Sequence, residues 1–156
     1  VRLKRSVQDD FAISFQFRTL HLGCGAADQW YQGAGLVDAE VEGATADFGV
    51  SFGQGRIMFG IGKPDITIAS RKTFNDGIWH EVLATRSRVS GRFELVVDGK
   101  AIGSKVGQKG SLTASKFIDV GRIQTKMNYF TGEIRDVCIT DKSGVHESSK
   151  ACCCIS

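Results

Sequence analysis

Asp38, Glu40 and Glu42, in the run Val37-Asp38-Ala39-Glu40-Val41-Glu42-Gly43, are the residues of this chain most like an acid–base apparatus. At alternate positions of an extended segment all three project to one side, and two carboxylates facing each other across a glycosidic bond are what glycoside hydrolysis requires. An isolated acidic stripe is more often a solvated face, because Asp and Glu are seldom buried without a partner, and catalysis is not what we expect of this one. The nucleophilic chemistries have fewer parts. His21, His80 and His146 are scattered, and no Cys-x-x-Cys pair is spaced to hold zinc.

Cysteine and aromatic side chains are the other reactive or adhesive groups. Trp30 and Tyr31 stand beside Gly33 and Gly35 at a loop edge, where rings either stack on a sugar or close the end of a sandwich, packing being the commoner use. Five cysteines make an odd count, with Cys24 and Cys138 in the body and Cys152, Cys153 and Cys154 together in the tail. In an exported protein this implies one or two disulfides, a link from the tail to Cys24 among them, and a thiol left for a partner chain. A competing reading is prenylation, since Cys153-Cys154-Ile155-Ser156 fits Cys-aliphatic-aliphatic-Ser with Cys154 in the first aliphatic place and Cys152 open to acylation. That reading anchors the protein to a membrane from the cytosol.

The elements that position these groups are strands. Nineteen Gly against one Pro, with ten Phe in 156 residues, suit a many-turned β-protein, because tight turns need residues that tolerate unusual φ. Phe74 to Lys100 reads as two antiparallel strands, entered by Asn75-Asp76-Gly77 and left by Asp98-Gly99. Phe11, Ile13, Phe15 and Phe17 alternate with Ala12, Ser14, Gln16 and Arg18, which makes one face core. A second hairpin runs through Gly53-Gln54-Gly55, and Gly60 and Gly62 thin its return strand, a sign of close backbone approach or a bulge. Further strands are expected around Leu36 to Glu40, from Ile66, and from Phe117 to Ile123. A bulge near Asp136 repairs the broken alternation of Ile134, Val137 and Ile139. Gly103 to Ser111 reads as a polar loop. No segment keeps helical apolar spacing over three turns, so almost no helix is expected.

Charge excludes some partners. The net +3 comes from 20 basic and 17 acidic residues spread along the chain, which makes no electrostatic case for nucleic acid or membrane. Arg2-Leu3-Lys4-Arg5 reads as a charged lead-in to the first strand, or as a dibasic processing site. The start at Val1 carries no signal-peptide pattern, which fits a mature form or a fragment of a larger chain.

An Asp-Gly turn running into Trp79-His80-Glu81-Val82, with a later strand ending in Val97-Asp98-Gly99, resembles the central hairpin of the laminin G-like domains in the concanavalin A-like jelly-roll superfamily. Three further pieces are similar in order: Asp10 to Thr19, Ala46 to Gly62, and Phe130 to Thr140. The resemblance implies an all-β jelly-roll sandwich of two antiparallel sheets over residues 1–145, followed by a Cys-rich tail over 146–156. It also implies non-catalytic recognition of a glycan or glycoprotein at the cell surface or outside the cell. Trp30, Tyr31, Arg122 and Tyr129 are then the expected ligand surface. Calcium is the implied cofactor, with Asp38, Asp47, Asp65 and Asn128 as the candidate oxygens, and His80 becomes a packing and hydrogen-bonding residue. Two alternatives remain: a self-assembling structural subunit, whether alone or within a parent multidomain chain, cross-linked through Cys152 to Cys154, and a jelly-roll glycoside hydrolase using Asp38 and Glu40.

Overall fold

A computed structural model describes residues 1–43, 45–113, 115–125 and 128–142. Among them are eleven strands: β1 Arg2–Leu3, β2 Asp10–Arg18, β3 Ala34–Asp38, β4 Phe48–Gly53, β5 Arg56–Ile61, β6 Ile66–Ala69, β7 His80–Arg86, β8 Arg92–Val97, β9 Lys100–Val106, β10 Ile118–Val120 and β11 Glu133–Lys142. One 3-10 turn, Trp30–Gln32, is the sole helical element among the described residues. The strands form two antiparallel sheets, ordered β1-β10-β3-β4-β5-β6 and β11-β2-β7-β8-β9. The hairpin β7-β8 lies inside the second sheet, between β2 and β9.

Alternation fills the space between the sheets. Phe11, Ile13, Phe15 and Phe17 of β2 face Phe48, Val50 and Phe52 of β4 and Ile57, Phe59 and Ile61 of β5. Aromatic rings carry much of the contact: Phe11 stacks on Phe48 at 4.5 Å, and Phe17 meets Phe52 edge-on at 5.5 Å. In β11 the register shifts between Arg135 and Cys138, and Asp136 takes a positive φ of 54°. This bulge returns Val137 and Ile139 to the core.

Two boundaries differ from the sequence pattern. Gly103, Ser104 and Lys105 belong to β9, not to a loop. They pair with β8 at the sheet's edge, where main-chain hydrogen bonds hold a Gly-Ser-Lys run whose residues show no apolar alternation. The strand expected over Phe117 to Ile123 is confined to Ile118–Val120, because Gly121 turns at φ 89°.

Buried polar side chains fasten the ends. His80 is 2% exposed, with Nδ1 2.7 Å from Asp98 and Nε2 2.8 Å from Asp76, so it ties the turns at both ends of the central hairpin together. Burial opposes ionisation of Asp76 and Asp98, but their hydrogen bonds to His80 outweigh it and hold both carboxyls below the usual range. Arg86 spends its guanidinium on main-chain carbonyls of Asp9, Gln108 and Gly110, at 2.9, 2.7 and 2.7 Å.

Candidate functional site

The outer face of the six-stranded sheet is not open. Its outward positions are mostly small, Gly49, Ser51 and Gly53 on β4 and Met58 and Gly60 on β5, and the 3-10 turn lays Trp30 over them. A Cβ added at Gly49 would stand 2.7 Å from Trp30 Cζ3, and one at Gly60 would be closer still to the indole. A Cβ at Gly35 would likewise collide with the backbone of Arg122 and Ile123. These glycines make a furrow into which two loops of the same chain sink. The thinning at Gly60 reflects that close approach, although the ring arrives from a distant loop.

Gly49-Val50-Ser51-Phe52-Gly53 spells the Gly-x-Ser-x-Gly pattern of a nucleophile elbow. Here it is the middle of a strand. Ser51 is fully buried and donates its hydroxyl to the carbonyl of Trp30 at 2.5 Å, whereas an elbow needs the Ser exposed on a strand-to-helix turn.

Where the loop joining β3 to β4 meets the loop joining β5 to β6, a cavity of about 650 Å³ opens. Tyr31, Glu40, Glu42, Asp47, Lys63 and Asp65 are among its lining residues, with the almost fully buried Trp30. The Tyr31 hydroxyl bonds to Gln29 Oε1. Desolvation, then the nearby Asp65, Asp28 and Glu40, raise its phenol pKa. Burial also raises the Asp47 carboxyl, against the Val41 N–H that Asp47 Oδ2 accepts at 2.8 Å. A chamber with one aromatic ring, several carboxylates and one ammonium is equipped to hydrogen-bond hydroxyl groups and to pack on an apolar ring face.

The expected ligand residues are placed unevenly. Trp30 was expected at the surface, but it is 1% exposed and offers no stacking face. Arg122 is committed to Asp119 at 3.0 Å. Tyr31 lines the cavity. Tyr129 is 60% exposed on a neighbouring loop, bridged to Arg122. In the sequence Glu40, Glu42, Asp47 and Asp65 point to other roles, and Lys63 carries no signal beyond its position after Gly62 in the turn before Pro64.

The metal candidates divide: Asp47 and Asp65 line the cavity, and the other two stand elsewhere. Asp38 is fully buried and lies outside the cavity wall. Asp65 is exposed on a turn, and Asn128 donates its amide to the carbonyls of Gln32 and Gly33 at 3.3 and 3.5 Å. Among the described residues no three His, Cys, Asp or Glu side chains are grouped to share an ion, so the four-residue set does not fit a calcium ion as a unit.

Asp38 and its strand neighbour Asp119 present a contrast. Both are fully buried and paired in register across β3 and β10. Asp119 receives Arg2 at 2.8 and 2.9 Å besides Arg122. Burial opposes its charge, yet the Arg2 hydrogen bonds and the Arg122 charge hold it below the usual range. Arg2 of the basic tetrad is therefore a strand fastener. Asp38 has no cation. Its Oδ2 accepts the N–H groups of Gln124 and Glu40 at 3.0 and 3.1 Å, and Oδ1 has no partner. Desolvation pushes its pKa up to about 8, against those two hydrogen bonds and with help from Glu40 and Asp47.

Cys24 is a free thiol, so the expected link from the tail to Cys24 is not made. Cys138 is already partnered, and Cys152, Cys153 and Cys154 lie outside the described residues. No helix among the described residues is long and apolar enough to cross a membrane.

Comparison with known proteins agrees with this architecture. A family model of the Concanavalin A-like lectin/glucanases superfamily, of laminin G type, matches residues 7–144. A 42-residue stretch, 27% of this chain, is 45% identical to mouse laminin subunit alpha-4 but spans 2% of that subunit. The mouse laminin alpha1 chain, domains LG4-5, superposes with a TM-score of 0.69 at 21% identity, over 88% of this chain and 37% of that one. The Ruminococcus gnavus IT-sialidase CBM40, solved bound to alpha2,3 sialyllactose, superposes with a TM-score of 0.62 at 12% identity, over 85% of this chain and 75% of that one. At such identities these superpositions establish the fold alone.

Proposed function

Because this chain belongs to the concanavalin A-like lectin/glucanases superfamily, in its laminin G-like branch, we propose that it is a non-catalytic module recognising a glycan or glycoprotein outside the cell. The observation that carries the proposal is the rim cavity. The outer sheet face is filled by the protein's own Trp30, which leaves the end of the sandwich, where Tyr31 and the polar walls stand, as the place a sugar can enter. Tyr31 supplies the ring face, the carboxylates of Glu42 and Asp65 accept from sugar hydroxyls, and Lys63 donates. Tyr129 extends the surface along the adjoining loop. Trp30 positions Tyr31 from below, and Arg122 holds the Tyr129 loop to Asp119.

Hydrolysis is the disfavoured reading. Of the acidic stripe, Asp38 is sealed beneath Trp30 and bonded to main-chain N–H groups, where it meets no substrate, so the Asp38–Glu40 pair that hydrolysis would use is not available. No calcium-dependent step is part of the proposal. We also read Cys138 as half of a disulfide, which together with the laminin relative supports an oxidising, extracellular address.

A glycan array probed with and without chelator tests the reading. Binding to one glycan class is expected, and Tyr31→Ala should weaken it about tenfold, about 1.4 kcal/mol, with a smaller loss for Tyr129→Ala. Turnover of a bound oligosaccharide, or binding that survives both substitutions unchanged, would reject it.

A further inference from the structure

The two sheets meet along one flank of the sandwich, where β6 ends the first sheet and β9 the second. Toward Lys105 this seam is closed. The Lys105 ammonium donates to the Thr67 carbonyl at 2.6 Å, and a Cβ at Gly103 would stand 3.0 Å from Ile68 Cγ2. Toward Lys100 the seam parts. The β8-β9 register shifts between Leu95 and Val96, which leaves Ile102 without a partner on β8 and bends the strand. On the other side β6 stops at Ala69, and the chain turns through Ser70, whose hydroxyl donates to the Lys72 carbonyl at 2.8 Å. Between them opens a cavity of about 540 Å³. It shares no lining residue with the rim cavity, which lies beyond the opposite end of β6.

The walls of this cavity are of two kinds. Phe74 and Val97, 3% and 2% exposed, give it an apolar floor together with Ala69, whereas Arg71, Lys72 and Lys100 stand exposed at its mouth. None of these three cations forms an ion pair among the described residues. The Lys72 ammonium lies 5.5 Å from the centre of the Phe74 ring instead. One acid, Asp98, is in the lining, but both its oxygens are engaged elsewhere: Oδ2 is bonded to His80 Nδ1 at 2.7 Å, and Oδ1 accepts the Glu81 N–H at 2.9 Å. Three like charges around an opening with low-dielectric walls focus a positive potential into it.

We propose that this cleft binds a small organic acid with an apolar body, an alkyl or aryl carboxylate. The carboxylate meets the Arg71 fork, which matches its planar geometry, and the Lys72 and Lys100 ammonium groups, while the hydrocarbon covers Phe74, Val97 and Ala69. Each half of such a ligand answers one half of the cavity. A simple anion leaves the floor uncovered, an uncharged hydrocarbon leaves the cations without a counter-charge, and a polyanionic chain carries nothing to fill an apolar pocket. The volume lies in the range of small-molecule sites. None of this depends on the glycan reading, because the two cavities have no wall in common.

Titration calorimetry of the full chain with straight-chain carboxylates from acetate to decanoate, each below its micelle concentration, tests both halves. Affinity should climb by up to about fourfold per methylene, the worth of one buried CH₂, until the chain outgrows the cavity. Arg71→Gln and Lys100→Gln change exposed side chains and leave the buried floor as it is, and each should weaken decanoate binding about tenfold through the loss of a charged hydrogen bond. Tyr31→Ala, in the rim cavity, should leave it unchanged, so a failure of the glycan reading does not touch this one. The proposal is overturned by an absence of decanoate binding, by an affinity that does not rise with chain length, or by binding that survives both Arg71→Gln and Lys100→Gln or is lost in Tyr31→Ala. Tighter binding to phosphatidylserine vesicles or to a heparin fragment than to the free acids overturns it as well.

Discussion

Asp38→Asn should stabilise this protein, and by an amount that grows with pH. In the unfolded chain the carboxyl ionises near its ordinary value of 3.8, whereas in the fold it holds its proton to about 8 because burial has stripped it of water and no cation replaces the loss. Between those values the folded state binds the extra proton, so stability falls as pH rises from about 4 to about 8 and levels off above that. At 1.36 kcal/mol per pH unit, the penalty grows by about 4 kcal/mol between pH 5 and pH 8, a ceiling reached only if no water enters on ionisation. Asparagine keeps what the carboxylate does well. Its amide oxygen can accept from the N–H groups of Gln124 and Glu40, and its NH₂ takes the place of Oδ1, which has no partner to lose. Urea denaturation of both proteins at unit intervals from pH 5 to pH 9 measures the difference directly. The two stabilities should converge at the acid end and separate toward pH 8, by several degrees in Tm for a chain of this size. A constant offset across the range, or a variant less stable than the parent at pH 8, would refute the reasoning, since either means that Asp38 is not the uncompensated buried acid its surroundings make it.

Gly60→Ala should cost about 2–3 kcal/mol by overpacking, because the new methyl lands on the Trp30 indole. Trp30→Leu in the same chain should recover part of it, and denaturant titration of both singles and the double measures that coupling. Arg86→Met, which keeps the volume but leaves the carbonyls of Asp9, Gln108 and Gly110 without their donors, should cost about 3 kcal/mol. Hydrogen exchange should then rise first at residues 107–110.

The local periodicities of the sequence determine the sandwich. Phe11 to Phe17 alternates strictly, and Phe93 to Val97 and Ile57 to Ile61 do so except at Val96 and Met58, a pattern that a two-layer arrangement buries, and Asp76-Gly77 and Asp98-Gly99 bracket the central hairpin because few other residues accept those turns. Even the bulge at Asp136 could be read as a break in that period. Tertiary structure alone decided the fate of the polar and aromatic residues, which carry no period. Whether Trp30 lies on a surface or under one depends on glycines at 49 and 60, far along the chain. Whether Asp38 and Asp119 are charged depends on which of two adjacent buried acids Arg2 and Arg122 reach. The cavity walls come from segments around 31, 40, 47 and 65, and only the meeting of two loops at one end of the sheet makes them neighbours. Hydrophobic patterning is local because a strand needs only its own residues to have two faces; a binding site is not, because its members are chosen by where separate loops end.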